Sequence, residues 1–225
     1  MFQTVQDQPL MLSRRAFGGS ALALLGASTI VPARAQAPVF ARGPAPATIQ
    51  PLASSRVVRP ELLRKALAAL QQHGSSIPRH DRIAIADFSL PSSQPRFYMV
   101  DMANGMATTL LVTHGSGSDP SHTGYLQRFS NSEGSNASSE GAFVTGDYYV
   151  GKHGRSQRLT GLDATNYRAL QRNLVVHSAW YADADMVKTH GQLGRSQGCF
   201  AVSEGDLDQV FARLGAGRMI YSAKI

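Results

Sequence analysis

The sequence has one cysteine and one tryptophan in 225 residues, and charged side chains make up only 16% of it. A single thiol closes no internal disulfide, which excludes the disulfide-stapled class of small exported folds. The seven histidines show no HxxxH or HExxH spacing, and there is no Cys pair to complete a zinc knuckle. Nothing in the pattern therefore asks for a metal. Acidic residues are outnumbered by basic ones, 15 to 22, for a net charge of +7. No Arg/Lys run with interleaved aromatics accompanies that charge, so nucleic acid is a poor partner. An acidic cell-wall polymer is a better one.

Long apolar runs are missing too, except near the N-terminus. There Arg14-Arg15 precede an apolar stretch from Phe17 to Val31, followed by the small residues of Ala33-Arg34-Ala35. The stretch is short for a membrane span and is interrupted by Gly and Ser. Ser13-Arg14-Arg15-Ala16-Phe17 fits a twin-arginine export signal, which assigns residues 1–35 to a cleaved signal peptide. Met11, directly before the motif, is an alternative start. The expectation is an exported, periplasmic protein at the cell wall, with no stable membrane anchor after cleavage. Residues 36–59 are rich in Pro, Ala and Ser without apolar periodicity and read as a linker. That leaves residues 60–225 as the folded domain.

In that domain Pro60 opens a helix with Leu62, Leu63, Ala66, Leu67 and Leu70 on one face, stopped by Gly74. Strand patterns follow. Residues 82–88 alternate, and residues 96–101 and 106–113 flank Asn104-Gly105, a strong hairpin signal. The second arm ends at His114-Gly115. Residues 116–140 form a long Gly/Ser/Asn-rich loop, of a length that is usually functional or disordered. Residues 143–149 and 174–177 read as strands. Between them lie a basic, Gly-bounded turn at residues 151–155 and a short helix from Asp163 to Asn173. Ser203 and Asp206 form a capping box for a helix through Leu207, Val210, Phe211 and Leu214, and residues 218–223 close with a strand. The sum is a mainly β domain with a few peripheral helices.

The candidate chemistry sits in residues 176–202. Read without context, Cys199 is a small buried hydrophobe. Outside a reducing cytosol, however, an unpaired thiol in a Ser196-Gln197-Gly198-Cys199 turn is a nucleophile candidate. It needs a base, and His177 at the end of a strand supplies one, with the main-chain oxygen or hydroxyl of Ser178 to orient it. His190 is a rival base in a less firmly held loop. Gly198 allows close backbone approach to a carbonyl, and the amides there are oxyanion-donor candidates.

These residues, with His114-Gly115, Ser118-Asp119, Thr145-Gly146, Tyr149, the run from Gly151 to Ser156, Asn166 and Gly194-Arg195, resemble the murein L,D-transpeptidase catalytic-domain family. The likeness is to the YkuD type, and more closely to its YkuD_2-like branch. It runs from about Leu62 to the C-terminus. The resemblance implies a β-sandwich catalytic core, no metal or other cofactor, and peptidoglycan stem peptides as partners. It implies Cys199 as nucleophile on a diaminopimelate carbonyl, His177 as base oriented through Ser178, and Gly198 with Ser196 around the oxyanion. Arg195, Lys152, His153, Arg155, His114 and Tyr149 are the implied substrate-binding set. Gln197 stands where many members have His, and Ala201 where many have Arg. The interval from His177 to Ser196 is also longer than usual, as for an enlarged lid. The same Cys-His pair with water as acceptor makes an L,D-carboxypeptidase or endopeptidase, and a non-catalytic wall-binding module is the reading of another class.

Overall fold

A computed structural model describes residues 57–225. The signal segment at 1–35, and the linker as far as residue 56, lie outside the described residues. The last linker residues belong to the fold: Val58 is buried among the helix leucines, and the Arg59 guanidinium grips the Asp87 carboxylate at 2.8 and 2.7 Å.

Helix α1 (Pro60–Gln72) starts at proline, whose missing N–H costs nothing there, and buries Leu62, Leu63, Ala66 and Leu70. It covers one face of the sheet. Strands β1 (Arg82–Asp87), β2 (Phe97–Asp101) and β3 (Ala107–Leu110) follow, with the β2–β3 turn taking Gly105 at φ 69°. A positive φ costs glycine nothing, which is why Asn104-Gly105 is legible as a hairpin. β4 (Gly141–Gly151) and β5 (Gly154–Gly161) form a long hairpin, then β6 (Val175–Ser178), α2 (Ala184–His190), β7 (Phe200–Val202), α3 (Leu207–Leu214) and β8 (Met219–Ala223). The expected mainly β domain with peripheral helices is what forms.

All eight strands join one sheet in the order β3-β2-β1-β8-β4-β5-β6-β7. That sheet curls over itself as a sandwich does. Phe97 of β2 and Phe200 of β7 come from near opposite ends of the order, yet their rings stack at 6.1 Å. Phe88 and Phe143 complete the aromatic centre at 6.3 and 5.5 Å from Phe200. Burial of four such rings is worth several kcal/mol and fixes the position of β7.

Three local expectations change. Residues 163–173 form successive turns rather than a helix, with amides reaching back three or four residues. The chain there must bend to deliver Asn173 at φ 54° into β6. The basic turn shrinks to Lys152 and His153, because residues from Gly154 onward pair with β4 as β5. The 116–140 loop is held against the core: Leu126 and Ala137 are fully buried, and Phe129 packs on Phe88 at 6.0 Å.

Candidate active site

The sheet edge sets the site. β6 runs parallel to β7 with His177 opposite Ala201, while Ser156 of β5 pairs with His177 on the other side. Side chains alternate along a strand, so Cys199, two residues before Ala201, returns to the face that carries His177. The short β4–β5 turn folds Lys152 and His153 over the same edge. A cavity of about 740 Å³ opens there, lined by Cys199, His177, His153, Lys152, Arg172 and Arg195 among others.

His177 is 1% exposed, and its Nδ1 lies 2.8 Å from the main-chain oxygen of Ser178. A carbonyl only accepts, so Nδ1 carries the proton and Nε2 keeps its lone pair. Of the two orienting groups open in the sequence, the structure uses the main-chain oxygen. The His153 ring stacks on His177 with centroids 4.4 Å apart. Burial holds the His177 pKa below the usual value, opposed by the Ser178 carbonyl and aided by His153 and Lys152. Neutral imidazole is therefore the resting form.

Cys199 is buried at 7% exposure, and its Sγ lies 3.7 Å from the Asn173 carbonyl oxygen. Burial pushes the thiol pKa up, against the Val175 amide and the charges of Lys152 and Arg172. Both groups are thus favoured in their neutral forms, so a thiolate here needs its proton taken by a base.

The nucleophile turn is tightly specified. Gly198 has φ 109°, and a Cβ there would meet the Ala137 oxygen at 2.5 Å and Arg172 Nη2 at 3.1 Å. Only glycine fits. The Gly198 amide donates to Ser196 Oγ (3.1 Å), and that hydroxyl donates to the Cys199 carbonyl (2.8 Å). Ser196 and the Gly198 amide, expected around an oxyanion, thus spend these bonds locking the turn.

Of the expected substrate-binding residues, Tyr149, Lys152, His153 and Arg195 line the cavity. Arg155 does not: it pairs with Asp208 at 2.5 Å and lies over the Phe211 ring, in a second hollow of about 540 Å³. His114 does not line it either. Its Nδ1 accepts from Arg96 Nη2 at 2.9 Å and its Nε2 faces Asp119 at 3.3 Å, in a fully buried cluster. That cluster supports the site from behind, since the His114 carbonyl accepts the Ser196 amide at 3.0 Å. His190, the rival base, is exposed at the end of α2 and is not among the lining residues.

Sequence reading missed Arg172 and Asn173, and gave no site role to Tyr181 although the family likeness includes it; all three are in the lining. Arg172 Nη1 donates to the Ser130 oxygen and Ser139 Oγ (2.7 and 2.6 Å), and Nη2 to the Ala137 oxygen (2.5 Å). It ties the 116–140 loop to the nucleophile turn. Tyr181 is pushed to a pKa of about 12 by burial and then by the nearby Cys199. The one available sequence signal was the polar Arg172-Asn173 pair immediately before an apolar strand.

Solved structures with a related chain trace include an L,D-transpeptidase from Mycobacterium smegmatis, at 13% identity and TM-score 0.40, covering 64% of this chain and 58% of that one. Another is an L,D-transpeptidase from Xylanimonas cellulosilytica, at 14% identity and TM-score 0.39, covering 70% and 68%. A third is L,D-transpeptidase 3 from Mycobacterium tuberculosis in complex with a faropenem-derived adduct, at 14% identity and TM-score 0.40, covering 63% and 60%. The chain spans about three fifths of the length of most of these. A search of the curated proteins finds no match. The family model for the L,D-transpeptidase catalytic domain matches residues 54–222, which takes in the cavity, both histidines of the stacked pair and the sulfur. This chain belongs to the L,D-transpeptidase catalytic domain family.

Proposed function

We propose that the protein is an exported peptidoglycan L,D-transpeptidase that works through a thioester on Cys199. One observation carries the reading: the sole thiol and an imidazole whose Nε2 has no hydrogen-bond partner among the described residues line a single cavity. In the proposed reaction Sγ attacks the diaminopimelate carbonyl of a stem tetrapeptide while His177 Nε2 takes the thiol proton. The same nitrogen returns that proton to the departing D-Ala amine. An amine of a neighbouring stem then attacks the thioester, restoring the thiol and leaving a crosslink. With the Gly198 amide committed to Ser196, the Cys199 amide is the main-chain donor assigned to the oxyanion.

Incubation with disaccharide-tetrapeptide, read by mass spectrometry, tests this. Crosslinked dimers are expected. Tripeptide alone would assign the same pair to hydrolysis, and no product with unmodified Cys199 would favour the wall-binding module. The twin-arginine segment supports export to the periplasm; N-terminal sequencing of the envelope protein is expected to begin near Gln36.

A further inference from the structure

Lys152, Arg172 and Arg195 line the cavity, and among the described residues no aspartate or glutamate does. None of the three forms an ion pair among the described residues. Arg172 is bonded to two carbonyls and a hydroxyl. Arg195 Nη1 is bonded to the carbonyls of Asp119 and Pro120. These acceptors are neutral, so they orient the guanidinium groups without cancelling their charge. The cleft therefore carries a positive potential, focused by partly buried walls; the nearby Asp119 carboxylate is committed to His114, Thr123 and Gly124 rather than paired with Lys152, Arg172 or Arg195.

A stem tetrapeptide brings its terminal D-Ala carboxylate, but that group leaves in the first half-reaction. The far end of the diaminopimelate side chain stays in the cleft as part of the thioester until the acceptor amine attacks. With its carboxyl free, that end is a zwitterion of net charge zero. With the carboxyl converted to a carboxamide, only its ammonium remains, a net positive group among three cations. We propose that the cleft selects donor stems whose diaminopimelate carboxyl is free and disfavours those in which it is amidated, with Lys152 and Arg195 reading that carboxylate. This rests on the transpeptidase reading above.

The test uses two synthetic tetrapeptides identical except for carboxyl or carboxamide at that position, with kcat/KM followed by D-Ala release. The free-acid donor is expected to be faster by about tenfold or more, since like charge placed against like charge is costly. Added salt and the variants Lys152→Gln and Arg195→Gln are expected to shrink that ratio toward one. Lys152 is exposed and makes no side-chain hydrogen bond or ion pair among the described residues, so its variant should melt with the parent. Equal rates, or preference for the carboxamide, overturn the selection while leaving the transpeptidase intact. Failure of both donors to release D-Ala or acylate Cys199 overturns the transpeptidase reading and the selection with it.

Discussion

His114 and His177 follow or end a strand, each is 1% exposed, and burial depresses the pKa of both. Their neighbours make them different groups. Arg96 can only donate, so His114 Nδ1 accepts and the proton sits on Nε2 facing Asp119. Both nitrogens are consumed inside the core. His177 holds the opposite tautomer, because a carbonyl takes its Nδ1 proton; its Nε2 makes no hydrogen bond among the described residues, and the residue lines the cavity. Neither burial nor a shifted pKa separates a structural histidine from a chemical one here. An unspent ring nitrogen beside a cavity does.

Substitution separates them most sharply. Cys199→Ala and His177→Ala are expected to lower D-Ala release by about a thousandfold or more while melting close to the parent. His114→Ala should do the reverse. Removing the acceptor of a buried guanidinium costs about 3 kcal/mol, seen as a lower Tm, with activity kept by the folded fraction.

Acid tests the same contrast by another route. His114 is held down to about 4 from 6.5, so between those values the unfolded chain binds the proton and the folded one resists it. Stability is therefore full above pH 6.5 and falls as pH drops toward 4, by roughly 3 kcal/mol from this group. His114→Asn should flatten that slope in urea melts at several pH values. In the proposed mechanism the base is neutral His177, so the acid limb of activity follows its lowered pKa: activity should persist below pH 6.5 and then fall. His153→Phe keeps a stacked ring but removes one positive influence, and should move that limb upward. An unmoved limb would deny His153 any electrostatic part.

Much of this architecture was legible in local signals. Pro60 places the first helix and Asn104-Gly105 the hairpin; the expected capping box does not cap the last helix, which starts at Leu207 with Asp206 as N-cap, while Ser203 Oγ accepts the Asp206 amide at 3.1 Å in the turn before it. His177 and Cys199 were legible from residue type, turn chemistry and family likeness. β7 was not, because three residues make a strand only once β6 lies beside them. Arg172 was hidden for a related reason. Its role comes from Ser130, Ala137 and Ser139, more than thirty residues away in sequence, and a lone arginine after a turn announces none of them. His114 misled because its strand-end position resembles that of His177, and only the arrival of Arg96 seals it.

Smaller effects sharpen the picture at the turn. Arg172→Gln should slow alkylation of Cys199 by iodoacetamide at neutral pH, since one positive influence on the thiol is lost. Ser196→Ala removes an acceptor and a donor that lock the turn, and is expected to lower stability by about 1 kcal/mol.

The most direct test is intact mass of the protein, quenched in acid during reaction with a tetrapeptide donor. The account predicts one tripeptide acyl group per chain, located on Cys199, formed as one D-Ala is released and absent in His177→Ala. Release of D-Ala at the parent rate by Cys199→Ala would contradict it.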